Sequence, residues 1–317
     1  MVLRRRSTGA RLVSLVALVC LILVAEAAFA ATPVVVRDRP GIAEQGPAGS
    51  DGALAWVDLA ANSGWDAFVK PPGEPKIHLN GTGQSLGVGI DGSAVVYDLF
   101  PRHGSADLRF FDLTTGERSA PPDGVNTRAD ESQPAVSGDW LFFTRTGRGG
   151  ASRTQAVLFN LDTSEERVLS SRRSRTNYMV TNQVSGDWAT WERCRFVEGV
   201  FSHCEVFVYR ISTETTTTVP NPGRQQYSSS VTSDGTVYFA RGGDAEEWTC
   251  GADVSLVRLP QVGSEQVIAA LPDGRDVFAS FGVEEMDGST TLLFERTRCD
   301  RAFAGGIDGI TDADTTT

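Results

Sequence analysis

Basic charge is scarce in this chain. Lysine and arginine number 29 against 40 aspartates and glutamates, a net charge of −11. That argues against a nucleic-acid partner, because phosphate contacts need an excess of basic charge. Histidine is scarcer still: His78, His103 and His203 lie far apart, and no G-x-S-x-G occurs. No local motif therefore announces acyl-transfer catalysis. There is no Cys-x-x-Cys, which leaves zinc a poor fit, and no metal or cofactor is expected. No apolar run beyond the N-terminal region is long enough to span a bilayer. Sustained helical periodicity is missing as well. The literal G-x-G-x-x-G at Gly87–Gly92 leads into the β-branched run from Ala94, whereas a dinucleotide site needs a helix there.

What is present begins with an export signal. Arg4, Arg5, Arg6 and Arg11 precede the apolar run Leu12 to Ala25, and Ala28-Phe29-Ala30 fits a small-x-small cleavage site. Removing residues 1–30, with four arginines and Glu26, takes the net charge from −11 to −14. The mature chain is expected to be an exported monomer, extracellular or in the periplasm or cell envelope, with no membrane span.

One short signature then recurs six times. It reads Ser50-Asp51-Gly52, Ile90-Asp91-Gly92, Ser137-Gly138-Asp139, Ser185-Gly186-Asp187, Ser233-Asp234-Gly235 and Met286-Asp287-Gly288, at steps of 40, 47, 48, 48 and 53 residues. Self-similarity at that period marks a repeat architecture. An apolar strand follows each signature, such as Val95-Val96-Tyr97, Leu141-Phe142-Phe143 or Val237-Tyr238-Phe239. Asp-Gly suits a two-residue hairpin turn, so each signature joins two antiparallel strands. The sixth has two extra residues before its apolar strand, which predicts a looser turn. A third strand and a second tight turn follow, clearest at Asp112-Leu113-Thr114-Thr115-Gly116-Glu117. Four short strands in about 45 residues make a propeller blade.

The expected fold is therefore all-β: a single six-bladed β-propeller of four-stranded antiparallel blades over residues 44–303. Residues 31–43 hold a closing strand and linker, with Pro33-Val34-Val35-Val36 as a displaced fourth strand that completes the last blade and removes its open edge. Residues 304–317, with Asp308, Asp312 and Asp314, read as a flexible acidic tail rather than a calcium loop.

The recurring Ser-x-Asp-Gly or Ser-Gly-Asp-Trp, the apolar strand and then Asp-x-x-x-Gly-Glu resemble the WD40-like repeat of TolB-type propellers from residue 44 to about 300. The resemblance implies a periplasmic propeller that binds protein partners. About 13 residues between the leader and the repeats leave no room for the N-terminal α/β domain of TolB itself.

Four cysteines remain in the mature chain, an even number that suggests two disulfides in an exported protein. The blade alignment selects Cys194–Cys204 within one long loop and Cys250–Cys299 between neighbouring blades. Strand alternation places the tight turns on one face and the long loops on the other. The long-loop face gathers His103, Arg172, Arg173, Arg175, Phe201, His203 and Trp248 with these cysteines. Asp58, Asp98, Arg145, Arg193, Arg241 and Arg296 end the second strands in blade order. Aligned, they form an arc for an anionic ligand, unless each arginine pairs with a local acid. Asn80-Gly81-Thr82 fits a glycosylation acceptor in a surface turn.

No residue is assigned a catalytic role. The reading favoured by the sequence is an exported, non-catalytic scaffold that binds a protein or cell-envelope polymer through its long-loop face. The alternatives are a propeller hydrolase or lyase acting on glycans or lactones, and a binder of a small ligand or metal in the central channel.

Overall fold

In the computed structural model the described residues are 34–37, 42–60, 64–147, 153–173, 177–178, 182–197, 200–244, 254–271, 276–286, 288–298 and 305–312. All their regular structure is β. After β1 (Val34–Arg37), the first blade holds β2 (Ile42–Ser50), β3 (Ala53–Ala60), β4 (Gly64–Lys70) and β5 (Ile77–His78). The second holds β6 (Val88–Asp91), β7 (Ala94–Leu99), β8 (Asp107–Asp112) and β9 (Arg118–Ser119). The third holds β10 (Asp130–Ser137), β11 (Trp140–Thr146), β12 (Arg153–Asn160) and β13 (Glu166–Arg173). In the fourth, β14 (Asn177–Tyr178) and β15 (Asn182–Ser185) share the inner position beside β16 (Trp188–Val197), β17 (Val200–Arg210) and β18 (Thr215–Thr218). The fifth holds β19 (Arg224–Val231), β20 (Val237–Asp244), β21 (Val254–Leu259) and β22 (Gln266–Leu271). The sixth is β23 (Asp276–Met286), β24 (Ser289–Arg298), β25 (Gly305–Asp312) and, as its fourth strand, β1.

Ring closure follows the expected route. Val34, Val35 and Arg37 of β1 pair antiparallel with Gly309, Asp308 and Ile307 of β25. A single parallel bridge, Ala43 to Gly305, then links the sixth blade to the first. The C-terminal segment departs from expectation: residues 305–312 are a strand, not a tail. Gly305, Gly306, Asp308 and Gly309 have poor strand propensity, but β24 and β1 supply ladders on both of its edges. Ile307, Asp308 and Ile310 are consequently buried, and Asp308 lies within the strand rather than in a calcium loop.

The strands bury both faces, which is why they read as unbroken apolar runs rather than alternating ones. Successive residues enter successive inter-blade layers. Val95 packs with Ala55, Val57 and Ile90 between the first two blades, while Val96 packs with Leu141 and Phe143 between the second and third. Phe142 turns the other way, onto Leu158 and Trp191. Tyr238 faces Phe281 and Phe294, and Phe239 faces Val206 and Val208. Trp56 and Trp191 are fully buried. Trp65 packs partly buried against the layer between the first two blades.

The signatures form the hairpins that join each inner strand to the second. Asp51 and Gly52 both have positive φ, at 50° and 75°, as a primed turn requires. The sixth turn is as tight as the first four, because Met286 pairs directly with Ser289 and the two extra residues lengthen β24. The looser turn is the fifth, with five residues between the paired Val231 and Val237. The signatures also link blades. Ser50 Oγ accepts the Gly92 amide at 2.9 Å, Asp91 Oδ2 the Gly138 amide at 2.6 Å and Ser137 Oγ the Gly186 amide at 3.1 Å. Glu284 accepts the Gly52 amide at 2.7 Å, across the closure. Glu285 ties the Ser233 amide and the Ser185 hydroxyl together, at 2.7 and 3.0 Å.

Candidate binding site on the long-loop face

The second strands end at the face opposite these turns. Asp58 and Asp98 are there but buried, at 4% and 0% exposure. Asp58 accepts the Trp56 indole N–H at 2.6 Å and faces Lys76 at 3.5 Å. Asp98 Oδ1 accepts the amides of Leu86 and Gly87 and the Ser85 hydroxyl, and its Oδ2 accepts the Gln133 amide of the next blade at 2.9 Å. Burial pushes the Asp98 carboxyl up to about 6 despite these donors.

The three described arginines of the arc are engaged within the fold. Arg145 pairs with Glu131 at 3.1 Å and Glu166 at 2.9 Å, and donates to the carbonyls of Gly124 and Val125. Burial raises the Glu131 carboxyl, opposed by Thr127 and Arg145. Arg241 pairs with Glu265 and donates to the Pro220 carbonyl at 3.2 Å. Both guanidinium groups lie over the phenylalanine two residues earlier, Phe143 at 5.2 Å and Phe239 at 5.0 Å. Residues two apart share a strand face, so these arginines fall on the inter-blade face with their apolar neighbours instead of projecting outward. Arg193 pairs with Glu205 at 2.5 Å and lies over Phe207. Arg296 is in β24, but its side chain lies outside the described residues.

Sequence reasoning missed a role for acids at this end. Asp98 holds the Gln133 amide where β10 bulges between Ser132 and Ala135. Glu192, buried at 1%, holds the Ser229 amide where β19 bulges between Tyr227 and Ser230. Gln133 and Ser228 have positive φ at these bulges, 53° and 55°. Each acid thus caps an amide that its bulged strand leaves unpaired. The signal was present: an acid ends a run of buried residues at Tyr97-Asp98 and Trp191-Glu192.

Beyond the arc lies an open pocket with about 770 Å³ of empty space. Arg172 comes from the end of β13, Arg193 and Arg195 from β16, His203 and Glu205 from β17, and Asn221 from the connection to the fifth blade. Cys194 lines it and is joined to Cys204 by a disulfide that links β16 to β17 as expected, with both cysteines buried. The neighbours of both cysteines line the pocket. The β16–β17 register shifts between Arg193 and Arg195, and His203 has a φ of 52°. Arg172 and Arg195 are exposed, and among the described residues neither has an acidic partner. Asn221 Oδ1 accepts the amides of Gly223 and Arg224, both at 2.9 Å, leaving its amide nitrogen to donate. The pocket therefore offers donors, and its single carboxylate, Glu205, is already held by Arg193.

His103 is exposed in the β7–β8 loop and does not line this pocket. Arg173 and Phe201 lie at the ends of β13 and β17, with side chains outside the described residues. Arg175, Trp248, Cys250 and Cys299 fall outside the described residues altogether, and with them the second disulfide. Asn80, read as a glycosylation acceptor, is buried. Its amide donates to Trp65 O, Asp66 and Gly83 O, and its oxygen accepts the Ala67 amide, so it staples a turn. At the opposite end the channel mouth, with about 600 Å³ of empty space, is lined by Ser50, Asp91, Ser137, Gln183, Ser185 and Glu285 among others. Its acids hold backbone amides, and no group of three or more metal-ligating side chains occurs among the described residues. No described helix is long and apolar enough to cross a membrane.

No family model and no curated protein matches the chain. Solved structures do. The propeller domain of the trilobed protease from Pyrococcus furiosus superposes with a TM-score of 0.53 at 12% identity, covering 87% of this chain and 94% of that one. A protein described as a TolB from Agrobacterium tumefaciens gives 0.52 at 14%, covering 84% and 90%. An oligogalacturonate lyase in complex with manganese gives 0.51 at 10%, covering 89% and 96%. The first is described as having an open velcro topology, whereas here β1 joins the last blade. Identities this low speak for architecture alone: the chain has the TolB-like six-bladed propeller fold, which proteases and a lyase also use.

Proposed function

We propose that this protein is an exported, non-catalytic β-propeller scaffold that holds a protein or cell-envelope polymer through its long-loop face. The observation that carries the reading is the pocket over the Cys194–Cys204 disulfide. In a chain of net charge −11 it brings Arg172 and Arg195 into one lining with no acidic partner among the described residues. Where arginines end the second strands of the third and fifth blades, the fold supplies them with acids, as at Arg145 and Arg241. Two uncompensated guanidinium groups at a donor-lined opening suit an external anionic group. The leader-like residues 1–30 support export, and the polar groups at the channel mouth are engaged in joining blades.

Affinity capture from the native cell envelope tests this, with tagged wild type compared with Arg172→Glu/Arg195→Glu and with Gln183→Ala at the channel mouth. The expected result is one component captured in stoichiometric amounts by wild type and by Gln183→Ala, and lost with the double charge reversal. Capture that survives charge reversal but is lost with Gln183→Ala would overturn the reading and move the site to the channel.

A further inference from the structure

We propose that the pocket over the Cys194–Cys204 disulfide docks an acidic peptide segment, two or more neighbouring carboxylate side chains on a partner protein. This rests on the reading that the long-loop face binds the partner, and it names the ligand chemistry.

Three observations lead to it. The pocket is lined by donors whose own acceptor is occupied: Arg193 holds Glu205, while Arg172, Arg195 and the Asn221 amide nitrogen remain to be matched. Arg172 and Arg195 also come from different blades, on β13 and β16. Each planar guanidinium takes one carboxylate as a fork, so the pair fits two carboxylates on a short segment better than one compact anion.

The fold itself supplies the second argument. In the third and fifth blades the arginines that end the second strand are satisfied by glutamates together with main-chain carbonyls. Arg145 takes Glu131 and Glu166 with the carbonyls of Gly124 and Val125, and Arg241 takes Glu265 with the carbonyl of Pro220. Peptide supplies both acceptors. The fourth blade presents the same residue type at an opening, with an extra arginine two positions on at Arg195.

The third argument is charge. A long polyanion would have to cross the surface of a body with 40 acidic residues against 29 basic ones on either side of the pocket. A short acidic segment meets only the local positive field. The disulfide keeps the donors in place where backbone pairing does not, because the β16–β17 register is broken between Arg193 and Arg195.

The test is fluorescence anisotropy with a labelled Gly-Glu-Glu-Gly peptide, its Gly-Gln-Gln-Gly counterpart, inorganic phosphate and an oligogalacturonate as competitors. The Glu peptide is expected to bind and the Gln peptide not. Binding should fall about tenfold or more in Arg172→Glu/Arg195→Glu, with an unchanged circular dichroism spectrum. Arg210→Glu, on the turn face, should bind as wild type does. Equal binding of both peptides, or Arg172- and Arg195-dependent binding of oligogalacturonate or phosphate without the Glu peptide, would overturn the proposal. If charge reversal abolishes envelope capture while the Glu peptide fails to bind, the long-loop face stands and the acidic-peptide assignment is wrong.

Discussion

At the scale of single residues, the buried carboxylates show where sequence reading reaches its limit. Asp98 looked like one member of a surface arc because it ends an apolar strand. Its partners come from residues 85–87 and from Gln133 in the next blade, and no local pattern announces a contact 35 residues away. Burial raises its carboxyl to about 6. A group whose folded value is raised contributes stability that is fully present below its unfolded value near 4 and is lost as pH rises through 6. A carboxyl resonance assigned to Asp98 should therefore titrate near 6, and ordinary titration near 4 would contradict the burial argument. Asp98→Asn should nonetheless destabilise the fold by about 1–3 kcal/mol at neutral pH, read from urea unfolding. Both oxygens accept N–H donors, and an amide nitrogen in either place turns an acceptor into a second donor. The arginines were partly legible: their pairing with local acids was foreseen as an alternative, but their position over Phe143 and Phe239 required the face on which they lie.

Elements were more legible than contacts. The six signatures stand at the six hairpins because the glycine of each takes the positive φ that the turn demands. The Cys194–Cys204 bridge could be chosen because the blade alignment put both residues in one loop. The last strand was missed for the opposite reason: the composition of β25 is that of a loop, and only its two neighbours make it a strand. The disulfide also separates stability from positioning. It closes only 10 residues, so it removes less unfolded-state freedom than a bridge across a long loop. Cys194→Ala/Cys204→Ala is expected to lower stability by about 1–3 kcal/mol in denaturant unfolding while weakening the Glu peptide more than Arg210→Glu does. Loss of more than about 5 kcal/mol with peptide affinity retained would make the bridge a folding clamp instead.

For the whole molecule, the ring must be closed twice, once by strand pairing and once by side chains at the turn face. β1 completes the sixth blade through Val34, Val35 and Arg37, and Glu284 carries the hydrogen bond from that blade to the Gly52 turn of the first. This could be read from the sequence, because an apolar strand stands before the first signature and the sixth repeat is short of one. The side-chain closure could not, since Glu284 and Glu285 sit in an inner strand whose partners are turns 52 and 232 residues away. If the two closures are independent, weakening the first should loosen the molecule without unfolding it. Deleting Val34–Arg37 removes a ladder of a few hydrogen bonds, worth about 2–4 kcal/mol at about 1 kcal/mol each. Hydrogen exchange should then quicken first in β25 and β24, while β7, β11 and β20, buried between intact blades, keep their protection. A uniform rise across all six blades would mean that the ring opens as one unit and that the side-chain closure carries no stability of its own.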